Sequence, residues 1–151
     1  MKKLMIISTM VLAFLTLTKN ANGQCFDYNW TNNSDCNWQV DFWTNSTPPA
    51  GIAAASFTAT GPGGGGYPGP CGIGCGVTVS TITFVNSSGC LITIPFTVGT
   101  HVQSNITAYC GGIACGGMLT TTETITVVIS TTTAGLCSPA SNYVVSITID
   151  P

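Results

Sequence analysis

The sequence predicts an all-β fold: a two-sheet β-sandwich of about eight strands, immunoglobulin-like or another Greek-key arrangement, stabilised by disulfides, with a β-barrel as the alternative. Three observations lead there. Beyond the first two dozen residues apolar and polar side chains alternate with period two, and no segment carries a helical stripe. The strongest runs, Thr124–Ile129 and Tyr143–Ile149, are built from β-branched residues that suit pleated surfaces. All 8 cysteines follow what reads as an export signal, and an even number in an oxidising compartment points to bridges.

The first element is that signal. Met1-Lys2-Lys3 precedes the apolar stretch Leu4 to Leu17, and Ala21-Asn22-Gly23 supplies a small-x-small site. The stretch falls short of the roughly 20 apolar residues that a spanning helix needs. The expected division is therefore a secretory signal peptide over 1–23 and a single all-β, disulfide-rich domain over 24–151. Lipid attachment at Cys25 would want a small residue before it, and Gln24 stands there.

Strands are expected at 25–31 and 36–44, joined as a hairpin by the turn residues Asn32-Asn33-Ser34-Asp35. In that register Phe26, Tyr28, Trp30, Trp38, Val40 and Phe42 share a face that belongs in the core. Asp27, Asn29, Gln39, Asp41 and Trp43 share the other. Further strands are expected at 52–60, 77–85, 90–98, 101–109, 118–130 and 143–149. In 77–85 the apolar parity switches after Val79, which predicts a bulge near Ser80-Thr81. In 90–98, Cys90, Ile92, Ile94, Phe96 and Val98 share a face, and Pro95, unable to donate to a ladder, predicts an edge.

Charge narrows function. The only lysines are Lys2, Lys3 and Lys19, there is no arginine, and all three would leave with the signal. What remains holds Asp27, Asp35, Asp41, Glu123, Asp150 and His101. Without fixed cations there is nothing to displace counterions from nucleic acid, cradle a nucleotide phosphate or dock on anionic lipid. The missing basic residues also leave no site for trypsin, which suits persistence outside the cell.

The cysteines Cys25, Cys36, Cys71, Cys75, Cys90, Cys110, Cys115 and Cys137 are expected in disulfides. Cys71, Cys75, Cys110 and Cys115 are spaced more loosely than usual zinc pairs, so no metal is expected. Asn33, Asp35 and Asn37 begin like a calcium loop, but Trp38 stands where its glycine belongs and Thr44 where its glutamate belongs. No cofactor is expected either. One histidine and five carboxylates make a thin inventory for acid-base chemistry, and no nucleophile-elbow motif frames a serine, so no catalytic residue is assigned. Sequons at Asn29, Asn32, Asn45, Asn86 and Asn105 read as markers of exposed turns. Thr120, Thr122, Thr124 and Thr126 form a hydroxyl row along one strand face.

The expected role is a secreted structural or surface-interaction protein, an adhesion or matrix module without catalytic activity, lying outside the cell, at its surface or in a periplasm. Its expected partners are further copies of itself or an extracellular glycan, with no membrane span in the mature form. The alternative is a carbohydrate-binding module, with Trp43 as an aromatic platform beside Asp41, Gln39 and Asp27.

Overall fold

The computed structural model describes residues 25–44, 52–67, 78–87, 89–110, 119–132 and 142–151. Among these there is no helix. Nine strands, β1 (Cys25–Asn32), β2 (Trp38–Thr44), β3 (Ile52–Ala59), β4 (Gly63–Tyr67), β5 (Val79–Asn86), β6 (Leu91–Pro95), β7 (Gly99–Cys110), β8 (Leu119–Thr132) and β9 (Asn142–Asp150), form two sheets. One has the order β4-β1-β9-β8-β7 and the other β3-β2-β5-β6. No closed barrel forms, so that alternative falls.

β1 and β2 do not pair as a hairpin. β1 runs parallel to β9 and antiparallel to β4, while β2 lies in the other sheet between β3 and β5. The expectation failed because alternation gives the face of a residue but not the strand beside it. The predicted core face nevertheless turns inward: Phe26, Tyr28, Trp38, Val40 and Phe42 are buried and Trp30 packs against them. They meet across two sheets instead of along one. Phe26 and Phe42 stack with centroids 4.6 Å apart, Tyr28 and Phe57 at 4.5 Å, and Phe96 meets Phe26 edge-on at 5.8 Å. Ile82, Phe84 and Ile94 from one sheet and Ile125, Val127, Ile147 and Ile149 from the other complete the core.

β4 escapes the alternation altogether, because four of its five residues are glycine and carry no side chain to alternate. Packing explains the glycines. A Cβ on Gly65 would stand 2.9 to 3.0 Å from the Trp30 indole, and one on Gly66 only 2.6 Å from the Tyr28 carbonyl oxygen.

The bulge in β5 is present: Trp43 pairs with Thr81 and Thr44 with Val79, leaving Ser80 out of register. β6 with its Pro95 is the edge strand expected, pairing with β5 alone among the described strands. Ile94 and Phe96 are buried, but Val98 is 59% exposed, since the chain leaves the sheet after Pro95 to cross to β7.

The registers give the body two ends. At one lie Cys25, Thr44, Val79, Gly99, Thr132 and Asn142. At the other lie Asn32, Cys36, Trp38, Ala59, Gly63, Asn86, Cys110 and Leu119.

Candidate functional site

β2 presents Gln39, Asp41 and Trp43 on the outer face of the four-stranded sheet, because Trp38, Val40 and Phe42 take the inner positions. Across the strand pair Gln39 stands opposite Thr58 and Asp41 opposite Ser56. The four side chains form one network. Thr58 donates to Gln39 Oε1 at 3.1 Å, Gln39 Nε2 donates to Asp41 Oδ1 at 3.0 Å and to Ser56 Oγ at 2.6 Å, and the Ser56 hydroxyl donates to the same Asp41 oxygen. Among the described residues there is no lysine or arginine, and amide and hydroxyl donors serve Asp41 Oδ1.

Trp43 lies between two register shifts, one against β3 after Phe42 and one against β5 before Thr44. Such irregularities re-aim a side chain. Here the indole Nε1 donates to Thr83 Oγ1 at 2.7 Å, and Thr83 is buried although it occupies an outward position opposite Asp41. The half-buried ring is thus held over the sheet beside the Gln39–Asp41–Ser56–Thr58 network. The Pro48-Pro49 segment, which the sequence offers as a cover for this indole, lies outside the described residues.

Asp27 does not join them. It points outward from β1, in the other sheet, on the far side of the body from Trp43. The failed hairpin is the reason, and it also separates Asp27 from Asp41 as a carboxylate pair. The face that Asp27 does share is lined by Asn29, Thr31, Ser146, Thr148, Thr126 and Val128. Thr31, Thr148 and Thr126 stand in one cross-strand row, and Asn29, Ser146 and Val128 in the next. Thr122 and Thr124 extend it along β8, so the threonine row belongs to this face; the Thr120 side chain lies outside the described set.

The remaining polar groups are engaged elsewhere. Glu123 is 0% exposed, and its Oε2 accepts from Trp38 Nε1 at 2.6 Å while Oε1 accepts from Thr121 Oγ1 at 3.3 Å. Sequence reasoning missed this inter-sheet contact, although a glutamate in phase with the inward Ile125, Val127 and Ile129 was its visible signal. Asn33 donates to Asp150 at 2.7 Å and Asn37 accepts from the Gly61 amide at 3.2 Å, so the calcium-like turn diverges. His101 Nε2 lies 2.9 Å from the Thr97 carbonyl oxygen.

Two sequon asparagines do not mark exposed turns: Asn32 and Asn86 are buried. Asn29 and Asn105 are exposed, and Asn105 sits in the β7 bulge with φ of 59°. Asn45 lies outside the described residues.

Of the cysteines, Cys25 and Cys36 are buried, and Cys90 carries a free thiol packed against the core at the β5–β6 turn. That thiol departs from the expectation that Cys90 is bridged: its amide is held by Asn86 Oδ1 at 3.0 Å, and the other two cysteines with described side chains stand before β2 and at the start of β1. The side chains of Cys71, Cys75, Cys110, Cys115 and Cys137 lie outside the described set. Among the described residues no group of three or more His, Cys, Asp or Glu side chains is arranged to hold a metal. No helix among them is long and apolar enough to cross a membrane.

Compared with known proteins, the chain matches no family model, no curated protein and no solved structure.

Proposed function

We propose that the protein is an exported structural or surface-interaction module, a disulfide-stabilised two-sheet sandwich that works by contact and assembly without catalysis. One observation carries the reading: the carboxylates among the described residues are scattered, three of them hydrogen-bonded within the body, while most other outward positions offer hydroxyl and amide groups. Glu123 is tied inside to Trp38, Asp41 to its own sheet and Asp150 to Asn33, and Asp27 stands on the opposite surface from Asp41. Catalysis needs such groups to converge on one reacting atom. Contact needs only a broad, persistent surface.

The edges favour contact with further copies. Unpaired strand edges invite pairing, and proteins that stay monomeric usually guard them with lysine, proline or bulges. β6 has Pro95 and β7 has its bulge at Gln103–Ile106, but β4 is an exposed run of glycines that pairs with β1 alone among the described strands. Its four glycines set no side chain of their own over the backbone groups, which suits strand addition. Export is tested by fractionating cells that make the full chain: recovery outside the cytoplasm with residues 1–23 removed is expected, and cytoplasmic retention of the intact chain would contradict it.

A second reading has its own observation. Trp43, Asp41 and Gln39 share one face, with Ser56 and Thr58 beside them, a grouping of aromatic and hydrogen-bonding side chains suited to a sugar. On this reading the wild-type protein gives signal on a glycan array and Trp43→Ala loses it. Absence of signal for the wild type removes the reading.

A further inference from the structure

We propose that copies of the protein join head to tail through the five-stranded sheet, the β4 edge of one copy pairing antiparallel with the β7 edge of the next over Gly63–Tyr67 and Gly99–Gln103. The inference rests on the proposed assembly from further copies and adds the strands, register and polarity by which it occurs.

The registers place the two edges level. Followed across the sheet, the row that starts at Gly64 runs through Thr31, Thr148 and Thr126 to Val102, and the row from Gly66 ends at Thr100. The outer rows agree, with Gly63 level with Gln103 and Tyr67 with Gly99. β4 and β7 therefore cover the same five rows in opposite directions, and the β7 bulge begins only after Gln103. A copy set beside the first, in the same orientation and at the same height, brings its β7 against β4 as an antiparallel pair without a slip.

The backbone groups fit that register. The Asn33 amide donates to the Ile149 carbonyl oxygen at 2.8 Å, so Ile149 aims its N–H and C=O at β1, and Thr148 aims its own at β8. Carried outward strand by strand, this alternation leaves the groups of Gly64 and Gly66 on the open side of β4 and those of Thr100 and Val102 on the open side of β7. In level register Gly64 meets Val102 of the next copy and Gly66 meets its Thr100, open groups against open groups. A slip of one residue would set open groups against engaged ones. Side chains favour the same pairing. Val102 is 52% exposed, and Gly64 and Gly66 leave a bare strip beside Thr31 and Asn29 for it and Thr100 to cover. β4 against β4 would set glycine against glycine, with no cross-strand side-chain pair to stabilise it. Either symmetric joint would also close on a dimer, whereas unlike edges leave one of each open. The strand twist of about 20 to 25° per step continues through the joint, so the copies grow as an open helix.

The test is sedimentation velocity of the recovered protein as wild type, as Val102→Lys and as Gly64→Lys, since an edge lysine blocks strand addition. Val102 is exposed, and a Cβ on Gly64 meets nothing nearer than the Trp30 carbonyl oxygen at 3.1 Å. Each variant alone is expected to stay monomeric at concentrations where wild type assembles. Their equimolar mixture is expected to give a dimer and nothing larger, because each supplies the edge that the other lacks. Should Gly64→Lys fail to fold, Val102→Lys is titrated into wild type, where it ends growing chains and shifts assemblies to smaller sizes with dose. A dimer of either variant alone shows a symmetric joint and overturns the proposal, as does a mixture of the two that stays monomeric. Assembly that ignores the lysines overturns the pairing alone. Wild type that stays monomeric overturns both the pairing and the assembly reading on which it rests.

Discussion

Glu123 and Asn32 show what single buried polar groups do here. Glu123 reaches from β8 across the interior to the Trp38 indole on β2, joining the sheets where both would otherwise present only apolar surface. Removing it leaves a buried N–H without its acceptor, which costs about 1 to 3 kcal/mol before any cavity term. Glu123→Leu is therefore expected to lower unfolding free energy in denaturant titrations by about 1 to 3 kcal/mol, on the same grounds. Glu123→Gln retains an acceptor oxygen for Trp38 and is expected to lose much less. Asn32 is the corresponding post at the chain's first crossing between sheets: Nδ2 donates to the carbonyls of Cys36 and Ala59 at 2.7 and 2.9 Å, and Oδ1 accepts from the Ser34 amide and hydroxyl at 3.0 and 2.8 Å. Asn32→Ala takes the side-chain donor from the Ala59 carbonyl and the acceptor from the Ser34 amide, and leaves the Cys36 carbonyl only the Ser34 hydroxyl at 3.4 Å, so a loss of roughly 2 to 4 kcal/mol is expected from two unsatisfied groups. Equal stability of Asn32→Ala and wild type in the same titration would show that this corner is held by something else.

At the scale of elements, the glycines around β4 rank themselves. A Cβ on Gly61 would stand 1.9 Å from the Ser34 carbonyl oxygen, a backbone atom with little room to yield. At Gly65 the obstacle is the Trp30 ring, a side chain that can shift. Gly89 has φ of 79° but nothing within 4 Å of a built Cβ, so alanine there meets backbone strain alone. Thermal melts of the three alanine variants should order the loss as Gly61 first, then Gly65, then Gly89, with Gly89→Ala costing on the order of 1 kcal/mol. A Gly61→Ala variant as stable as Gly89→Ala would contradict the packing of the β3–β4 corner.

These elements also show what was legible beforehand. Alternation found eight strands, the inward face of β1 and β2, the β5 bulge and the β6 edge, because each leaves a mark in side-chain order or in a proline. It missed β4, where glycine erases the mark, and it mistook two strands close in sequence for neighbours. That single error carried Asp27 into the candidate site. Gln39, Asp41 and Trp43 survived together because all three lie on one strand, where period two alone fixes the face. Their partners Ser56, Thr58 and Thr83 come from strands whose register no local pattern sets.

At the scale of the molecule, two sheets enclose an aromatic and aliphatic core and turn outward faces of hydroxyl and amide groups, with Asp41 on one and Asp27 on the other. With lysine confined to positions 2, 3 and 19 and no arginine in the chain, residues 24–151 offer no charge attraction between copies, so association would rest on backbone pairing at open edges and on burial of surface, and salt, which screens repulsion between carboxylates, would not weaken it. The central claim, an exported module that works by contact with further copies, is tested most directly by sedimentation velocity of the recovered protein over a wide concentration range, at low and high salt. The account predicts species larger than the monomer that grow with concentration and persist at high salt. A single monomer boundary at every concentration, with no filaments by electron microscopy, would contradict it.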